Sequence, residues 1–96
     1  MTFAVSDPVP EGSARCLVVD DEPGVRRALT RLFRQQGFAC LEAATGREAL
    51  DLLSELGEVP LIVSDMRMPE LDGMGLLQEV RRLHPDTAVI LLSGAT

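Results

Sequence analysis

Residues 61–83, LIVSDMRMPELDGMGLLQEVRRL, contain the pattern that decides the fold. A short apolar run ends in Asp65, which indicates a strand that is buried on both faces. Residues 66–71 follow as a loop, and Asp72 is placed to cap a helix that ends before Pro85. The apolar residues of this helix recur at helical spacing and are Leu76, Leu77, Val80 and Leu83.

The same order of strand and helix occurs at the N-terminal side. CLVVD at 16–20 predicts a first strand, and a helix that begins near Pro23 and ends at Gly37 follows it. The apolar face predicted for this helix consists of Val25, Ala28, Leu29, Leu32 and Phe33. The arginines of the same helix are interpreted as a solvated face; they are Arg26, Arg27, Arg31 and Arg34.

Two further segments complete the pattern. FACLE at 38–42 predicts a second strand, and a T-x-x-E capping box at 45–48 opens a helix that ends at Gly57. AVILLS at 88–93 predicts a fourth strand. After an irregular leader over 1–14, the order β-α-β-α-β-α-β predicts one α/β domain with a parallel sheet and helices on both faces.

The composition excludes several classes of function. The 96 residues carry 15 acidic side chains against nine arginines and no lysine, which gives a net charge of −6. An acidic chain without Trp or Tyr lacks the basic face and the stacking surface of a nucleic-acid-binding protein. No run reaches the roughly 18 apolar residues of a membrane span. We therefore expect a cytoplasmic protein that binds neither nucleic acid nor membrane.

The two cysteines, Cys16 and Cys40, lie inside apolar runs and are expected to be buried, reduced thiols. A metal site built on them is disfavoured, because no C-x-x-C is present and the single histidine, His84, stands where a helix ends.

Acidic and hydroxyl side chains stand where three of the predicted strands end. Asp20 and Asp21 follow the first strand, Asp65 ends the third, and Ser93 ends the fourth. If the first, third and fourth strands lie side by side, their carboxyl ends meet at one edge of the sheet, and three carboxylates are expected to crowd there. Mg²⁺ is the natural partner of such a cluster. In the alternative interpretation these residues have separate structural roles. Asp20 and Asp21 then cap a helix, Asp65 is a turn residue, and Ser93 is a hydroxyl at the end of a strand.

Three segments resemble the receiver domain of bacterial two-component response regulators. They are VVDDEPGVRRAL at 18–29, VSDMRMPELDGMGLL at 63–77 and VILLSGA at 89–95. The second contains the family signature DxxMPxxDG, and the resemblance extends from Arg15 to Thr96.

The resemblance implies a role for each matching residue. Asp65 accepts a phosphoryl group from a sensor histidine kinase. Asp21, Asp65 and the backbone carbonyl of Arg67 bind Mg²⁺ directly, and Asp20 binds it through water. Ser93 is the switch hydroxyl. The module is expected not to be an enzyme, and its output partner is unknown.

The resemblance also implies a CheY-like (flavodoxin-like) sheet of order 2-1-3-4, with the fifth strand and the last two helices of the family missing. Residues 15–96 are then an incomplete receiver domain, and the family's lysine has no counterpart in a sequence without lysine. We therefore expect little stable phosphate on these 96 residues, and a homodimer formed through the open edge of the sheet.

Two other functions are considered. One is a protein-interaction module (a pseudo-receiver or dimerisation module) that takes no phosphate and acts through the exposed edge. The other is a small phosphohydrolase. This second alternative is disfavoured because Asp65 is followed by Met66-Arg67 and not by the x-D-x-[TV] of haloacid-dehalogenase-like enzymes.

Overall fold

The computed structural model describes residues 14–57 and 59–92, so Ser93 and nearly all of the predicted leader lie outside the described part. The elements are β1 (Arg15–Val19), α1 (Pro23–Gln35), β2 (Ala39–Ala43), α2 (Gly46–Leu56), β3 (Leu61–Asp65), α3 (Gly73–Leu83) and β4 (Ala88–Leu92). The predicted order is confirmed, and the strand ends differ from the predicted ones by at most one residue.

All four strands are parallel and lie in the order β2-β1-β3-β4, as the resemblance implied. In the register of the central pair, Val19 lies opposite Ser64, so β1 and β3 end side by side. Asp65 lies opposite Leu92, so β4 ends beside β3. The ends of three strands therefore meet at one edge of the sheet.

The sheet has a hydrophobic core on each face, because successive side chains of a strand point to opposite sides. Helices α2 and α3 cover one face, where Leu17, Leu53, Ile62, Leu76 and Val80 are fully buried. On the other face, Cys16, Val18 and Val63 are buried among partly buried residues that include Leu29 and Phe33 of α1.

The predicted apolar face of α1 is partly wrong. Val25 and Leu32 are 47% and 49% exposed, whereas Leu29 and Phe33 pack on the sheet. Arg26 is half-buried and donates a hydrogen bond to the backbone at the end of β1, and positions 26, 29 and 33 face inward. These positions are also one helical turn apart, so periodicity alone does not distinguish the two faces.

The predicted ends of α2 and α3 are confirmed, whereas α1 ends at Gln35, two residues before the predicted Gly37. Thr45 Oγ1 accepts a hydrogen bond from the backbone N–H of Glu48 at 3.0 Å, and the Glu48 carboxylate accepts one from the N–H of Ala44. Gly57 follows α2 with φ of 81°, a left-handed conformation that glycine adopts without strain. His84 is the C-cap of α3. None of the described helices has the length and apolarity needed to cross a bilayer.

The outer side of β4 is open within the described part of the chain. β4 pairs there with β3 alone. Ile90 lies opposite Val63, on the face that α1 covers, but α1 lies over β1 and β2, and Ile90 is 42% exposed. The expectation of an apolar edge at the fourth strand is confirmed.

Candidate functional site

The candidate site is the acidic edge where β1 and β3 end. Asp65 is the last residue of β3, Asp20 directly follows β1, and Asp21 is the next residue of the loop to α1. One carboxylate oxygen from each of the three aspartates lies within 4.8 Å of the other two. The predicted convergence of these three residues is therefore confirmed.

The three carboxylates differ in their exposure. Asp20 is only 3% exposed, Asp65 is half-buried and Asp21 is exposed. Asp20 is held in place because its Oδ1 accepts a hydrogen bond of 2.9 Å from the backbone N–H of Glu22. Glu22, and not Asp20 or Asp21, occupies the N-cap position of α1, and its side chain makes no capping hydrogen bond. The alternative N-cap role for Asp20 and Asp21 is therefore wrong.

Electrostatics at this edge disfavour three negative charges. Burial raises the pKa of the Asp20 carboxyl, and the hydrogen bond from Glu22 offsets part of that rise. The nearby carboxylates of Asp65 and Asp21 raise the pKa of Asp20 further, because like charges repel at short range. A cation bound between these oxygens relieves the repulsion.

Arg26 is the nearest cation that the structure fixes in position. Its Nη1 donates to the backbone oxygen of Asp20 at 2.7 Å, and its Nε donates to Glu42 Oε1 at 3.1 Å. The ion pairs found among the described residues are Arg26–Glu42 and Arg82–Glu79, so the three aspartate carboxylates have no ion-pair partner there. Arg26 was assigned to the solvated face of α1, and nothing in its spacing marks it as the residue that ties α1 to the site.

The loop after Asp65 is fixed by backbone hydrogen bonds. The N–H of Met66 donates to the carbonyl of Leu92 at 2.9 Å, and the N–H of Gly73 donates to the carbonyl of Met66 at 3.0 Å. The backbone N–H of Arg67 donates a long hydrogen bond of 3.4 Å to Asp65 Oδ1, and the Arg67 side chain is exposed. The loop therefore keeps the backbone of Arg67 next to Asp65.

Gly73 lets α3 begin directly against the site. A Cβ atom at this position would lie 2.5 Å from the backbone oxygen of Asp65 and 2.8 Å from Cα of Met66. Both contacts are with backbone, so no side chain can move aside to make room. In the sequence, Gly73 stands out only as part of the DxxMPxxDG signature, because a glycine at the start of a helix carries no other sign of such close packing.

The residues present fit a divalent cation of the hard type. Carboxylate oxygens within 4.8 Å of one another are the ligands that Mg²⁺ prefers, and Asp20 is buried and takes part in none of the ion pairs found in the described part of the chain. Asp65 ends β3, and Asp21 and the carbonyl of Arg67 lie on the two neighbouring loops at this edge. Ser93, predicted as the switch hydroxyl, follows Leu92 and lies outside the described residues.

Curated proteins similar to this chain include sensors and regulators. It is 49% identical over 84 residues to the sensor kinase CckA of Brucella abortus, a match covering 86% of this chain and 9% of that protein. It is 38% identical over 80 residues to the transcriptional regulatory protein GlrR of Escherichia coli, covering 83% of this chain and 18% of that protein. The chain thus spans less than a fifth of the length of either relative.

Solved structures share the fold. The response regulator TrrA of Thermotoga maritima, solved in complex with Mg²⁺-BeF, superposes with a TM-score of 0.80 at 34% identity. That match covers 86% of this chain and 71% of TrrA. The chemotaxis protein CheY4 of Vibrio cholerae superposes with a TM-score of 0.80 at 29% identity, covering 88% of this chain and 72% of CheY4.

The family model of the response regulator receiver domain matches residues 16–96, which is most of the chain. With the strand order 2-1-3-4, the three aspartates at one sheet edge and these relatives, the chain belongs to the response regulator receiver domain family and has its CheY-like, flavodoxin-like fold.

Proposed function

We propose that the chain is the phosphoacceptor module of a two-component system and that Asp65 takes a phosphoryl group from a sensor histidine kinase. The observation that carries the proposal is the group of three aspartate oxygens within 4.8 Å at the ends of β1 and β3. The family membership supports it. In the transfer, an oxygen of Asp65 bonds to phosphorus while the phosphorus–nitrogen bond of the phosphohistidine breaks.

In this proposal, the residues around Asp65 bind Mg²⁺ and respond to the phosphoryl group. We assign Asp21, Asp65 and the backbone carbonyl of Arg67 as direct ligands of Mg²⁺, and Asp20 as a ligand through water. When bound, Mg²⁺ neutralises charge on the carboxylate and on the incoming phosphoryl group. The hydrogen bond from Glu22 keeps Asp20 oriented toward this position. Ser93 is proposed as the hydroxyl that responds to the phosphoryl oxygen.

The proposed role is that of a phosphate acceptor, and not of an enzyme that turns over an external substrate. We place the module in the cytoplasm, without direct contact to nucleic acid or membrane. The second candidate function is a protein-interaction module that works without phosphate. The exposed edge at β4 favours it, because Ile90 is 42% exposed there, and a homodimer through this edge is its simplest form.

The buried charge of Asp20 should affect the thermal stability of the metal-free protein. In metal-free buffer, Asp20→Asn is expected to raise the thermal midpoint by a few degrees. The amide keeps the acceptor for Glu22 and removes a buried charge. The raised pKa of Asp20 means that the folded wild type loses stability as the pH rises through that pKa, and the variant lacks this loss. The check is thermal unfolding with a chelator, over a pH series.

Adding Mg²⁺ should reverse the order of the two proteins. The ion stabilises the folded wild type by mass action, and it stabilises the variant less because a carboxylate is lost. In parallel, a Mg²⁺ titration should shift the backbone amide signals of residues 20–21 and 65–67. Shifts confined to residues far from this edge, or equal stabilisation of both proteins, would contradict the site.

A further inference from the structure

The two cysteines face one another across β1 and β2. Cys16 and Cys40 are partners in the register of these parallel strands, so their side chains leave the sheet on the same face. Both belong to the core that α1 covers. Neighbouring strands lie about 4.8 Å apart, which falls inside the Cα separations of about 4.4–6.8 Å found in disulfides. Both thiols are free.

The two thiols lie close enough to influence each other, because each contributes to the pKa of the other. Cys40 Sγ donates a hydrogen bond of 3.9 Å to the backbone oxygen of Phe38. Among the described residues, this is the one hydrogen bond that either sulfur atom makes. The remaining neighbours in this core are apolar, and they include Val18 and Phe33.

The thiols differ in their access to solvent. Cys16 is fully buried, and burial raises its pKa to about 12, so this thiol keeps its proton at neutral pH. Cys40 is half-buried, and the guanidinium of Arg34 opposes the rise of its pKa that burial causes. Cys40 is therefore the thiol that a reagent in solution reaches first.

The position of Cys40 also allows the strand to adjust. β2 is an edge strand that pairs with β1 alone within the described part of the chain. A disulfide brings its Cβ atoms to about 3.8 Å, about 1 Å closer than the spacing of neighbouring strands, so the two Cα–Cβ bonds have to tilt toward each other. β2 can twist locally to allow this tilt, because no further strand is paired to its other edge within the described part of the chain.

We propose that Cys16 and Cys40 are an oxidative modification site, which a hydroperoxide converts to an intramolecular disulfide. The Cys40 sulfur attacks the hydroperoxide, the oxygen–oxygen bond breaks, and an alcohol or water leaves, which forms a sulfenic acid. The Cys16 sulfur then attacks Cys40 Sγ, the sulfur–oxygen bond breaks, and water leaves with the Cys16 proton. In total, two thiols are oxidised and one hydroperoxide is reduced.

Oxidation of the folded chain by hydrogen peroxide tests the proposal. After quenching, the protein is unfolded, alkylated at its free thiols and analysed by intact mass. We expect wild type to lose two hydrogens and to resist alkylation until a reductant is added. Digestion after arginine should yield a peptide 16–26 joined to a peptide 35–47. This readout uses the wild-type protein, so it does not depend on whether a variant folds.

Cys16→Ser and Cys40→Ser serve as matched controls. Each removes one sulfur from the pair, and neither variant should show the loss of two hydrogens within one chain. Full alkylation of oxidised wild type would overturn the proposal. So would peptides linked only between two chains, or oxidation of Cys40 to higher oxygen acids without any joined peptide.

Discussion

Gly73→Ala is expected to destabilise the chain by about 3 kcal/mol, toward the upper end of the usual cost of overpacking. The added methyl group would lie 2.5 Å from the backbone oxygen of Asp65 and 2.8 Å from Cα of Met66. Relief requires α3 or the loop at Asp65 to move as a unit. The measurement is the free energy of unfolding from urea denaturation, compared with wild type.

Gly24→Ala is the matched control, because a Cβ atom there meets no other atom within 4 Å. Gly24 is the second residue of α1, so alanine there should gain at most the roughly 0.5–1 kcal/mol by which it is preferred over glycine inside a helix. The two substitutions, identical in chemistry, should therefore change stability in opposite directions. A Gly73→Ala variant as stable as wild type would show that the loop is not held against α3 as described.

The second large effect concerns self-association through the exposed edge of β4. We expect the chain to self-associate as its concentration rises, and Ile90→Lys to abolish this association over the same range. Ile90 is 42% exposed, so covering it gains about two fifths of the roughly 1.5–3 kcal/mol that full burial of an isoleucine is worth. In a symmetric dimer the residue counts twice, so the dissociation constant should rise by about one to two powers of ten. Light scattering over a concentration series measures the average mass.

Met74→Lys is the control for this experiment. Met74 is 45% exposed, close to the 42% of Ile90, but it lies on α3 and not at the edge of the sheet. This variant should associate as wild type does. A chain that stays monomeric at high concentration, or equal association of the wild type and Ile90→Lys, would contradict a dimer formed through β4.

Substitutions at Asp65 and at Ile90 separate the two candidate functions. A phosphoacceptor module requires Asp65 whatever the state of the β4 edge. An interaction module requires Ile90 and tolerates loss of the Asp65 carboxylate. A cellular response that Ile90→Lys abolishes and Asp65→Asn leaves intact would favour the interaction module.

The sequence predicts the strand order through the resemblance to receiver domains, and the acidic edge through local patterns at the strand ends. Asp20, Asp21 and Asp65 stand where apolar runs end. The topology brings the ends of these strands to one edge of the sheet, so the three aspartates could be placed together. The alternation of strands and helices leaves few parallel arrangements, and the receiver motifs select one of them.

The features that the sequence did not predict depend on tertiary contacts. The inward face of α1 was misassigned because positions 26, 29 and 33 have the same helical spacing as the apolar set that includes Val25 and Leu32. In the observed rotation of the helix, Leu29 and Phe33 pack on the sheet and Arg26 donates a hydrogen bond to the end of β1. The close approach of Gly73 to Asp65 is likewise set by the packing of two backbones.

Phosphoryl transfer to Asp65 is the most direct test of the proposed function. The full-length protein, with whatever residues its gene encodes after Thr96, is incubated with acetyl phosphate and Mg²⁺ and analysed by intact mass. Asp65→Asn, which keeps the size of the side chain, is treated in parallel. Residues 1–96 alone should hold little stable phosphate, because this sequence contains no lysine to pair with the phosphoryl oxygens. For the full-length protein we expect one added phosphoryl group on wild type and none on Asp65→Asn, and equal phosphate on both would contradict Asp65 as the acceptor.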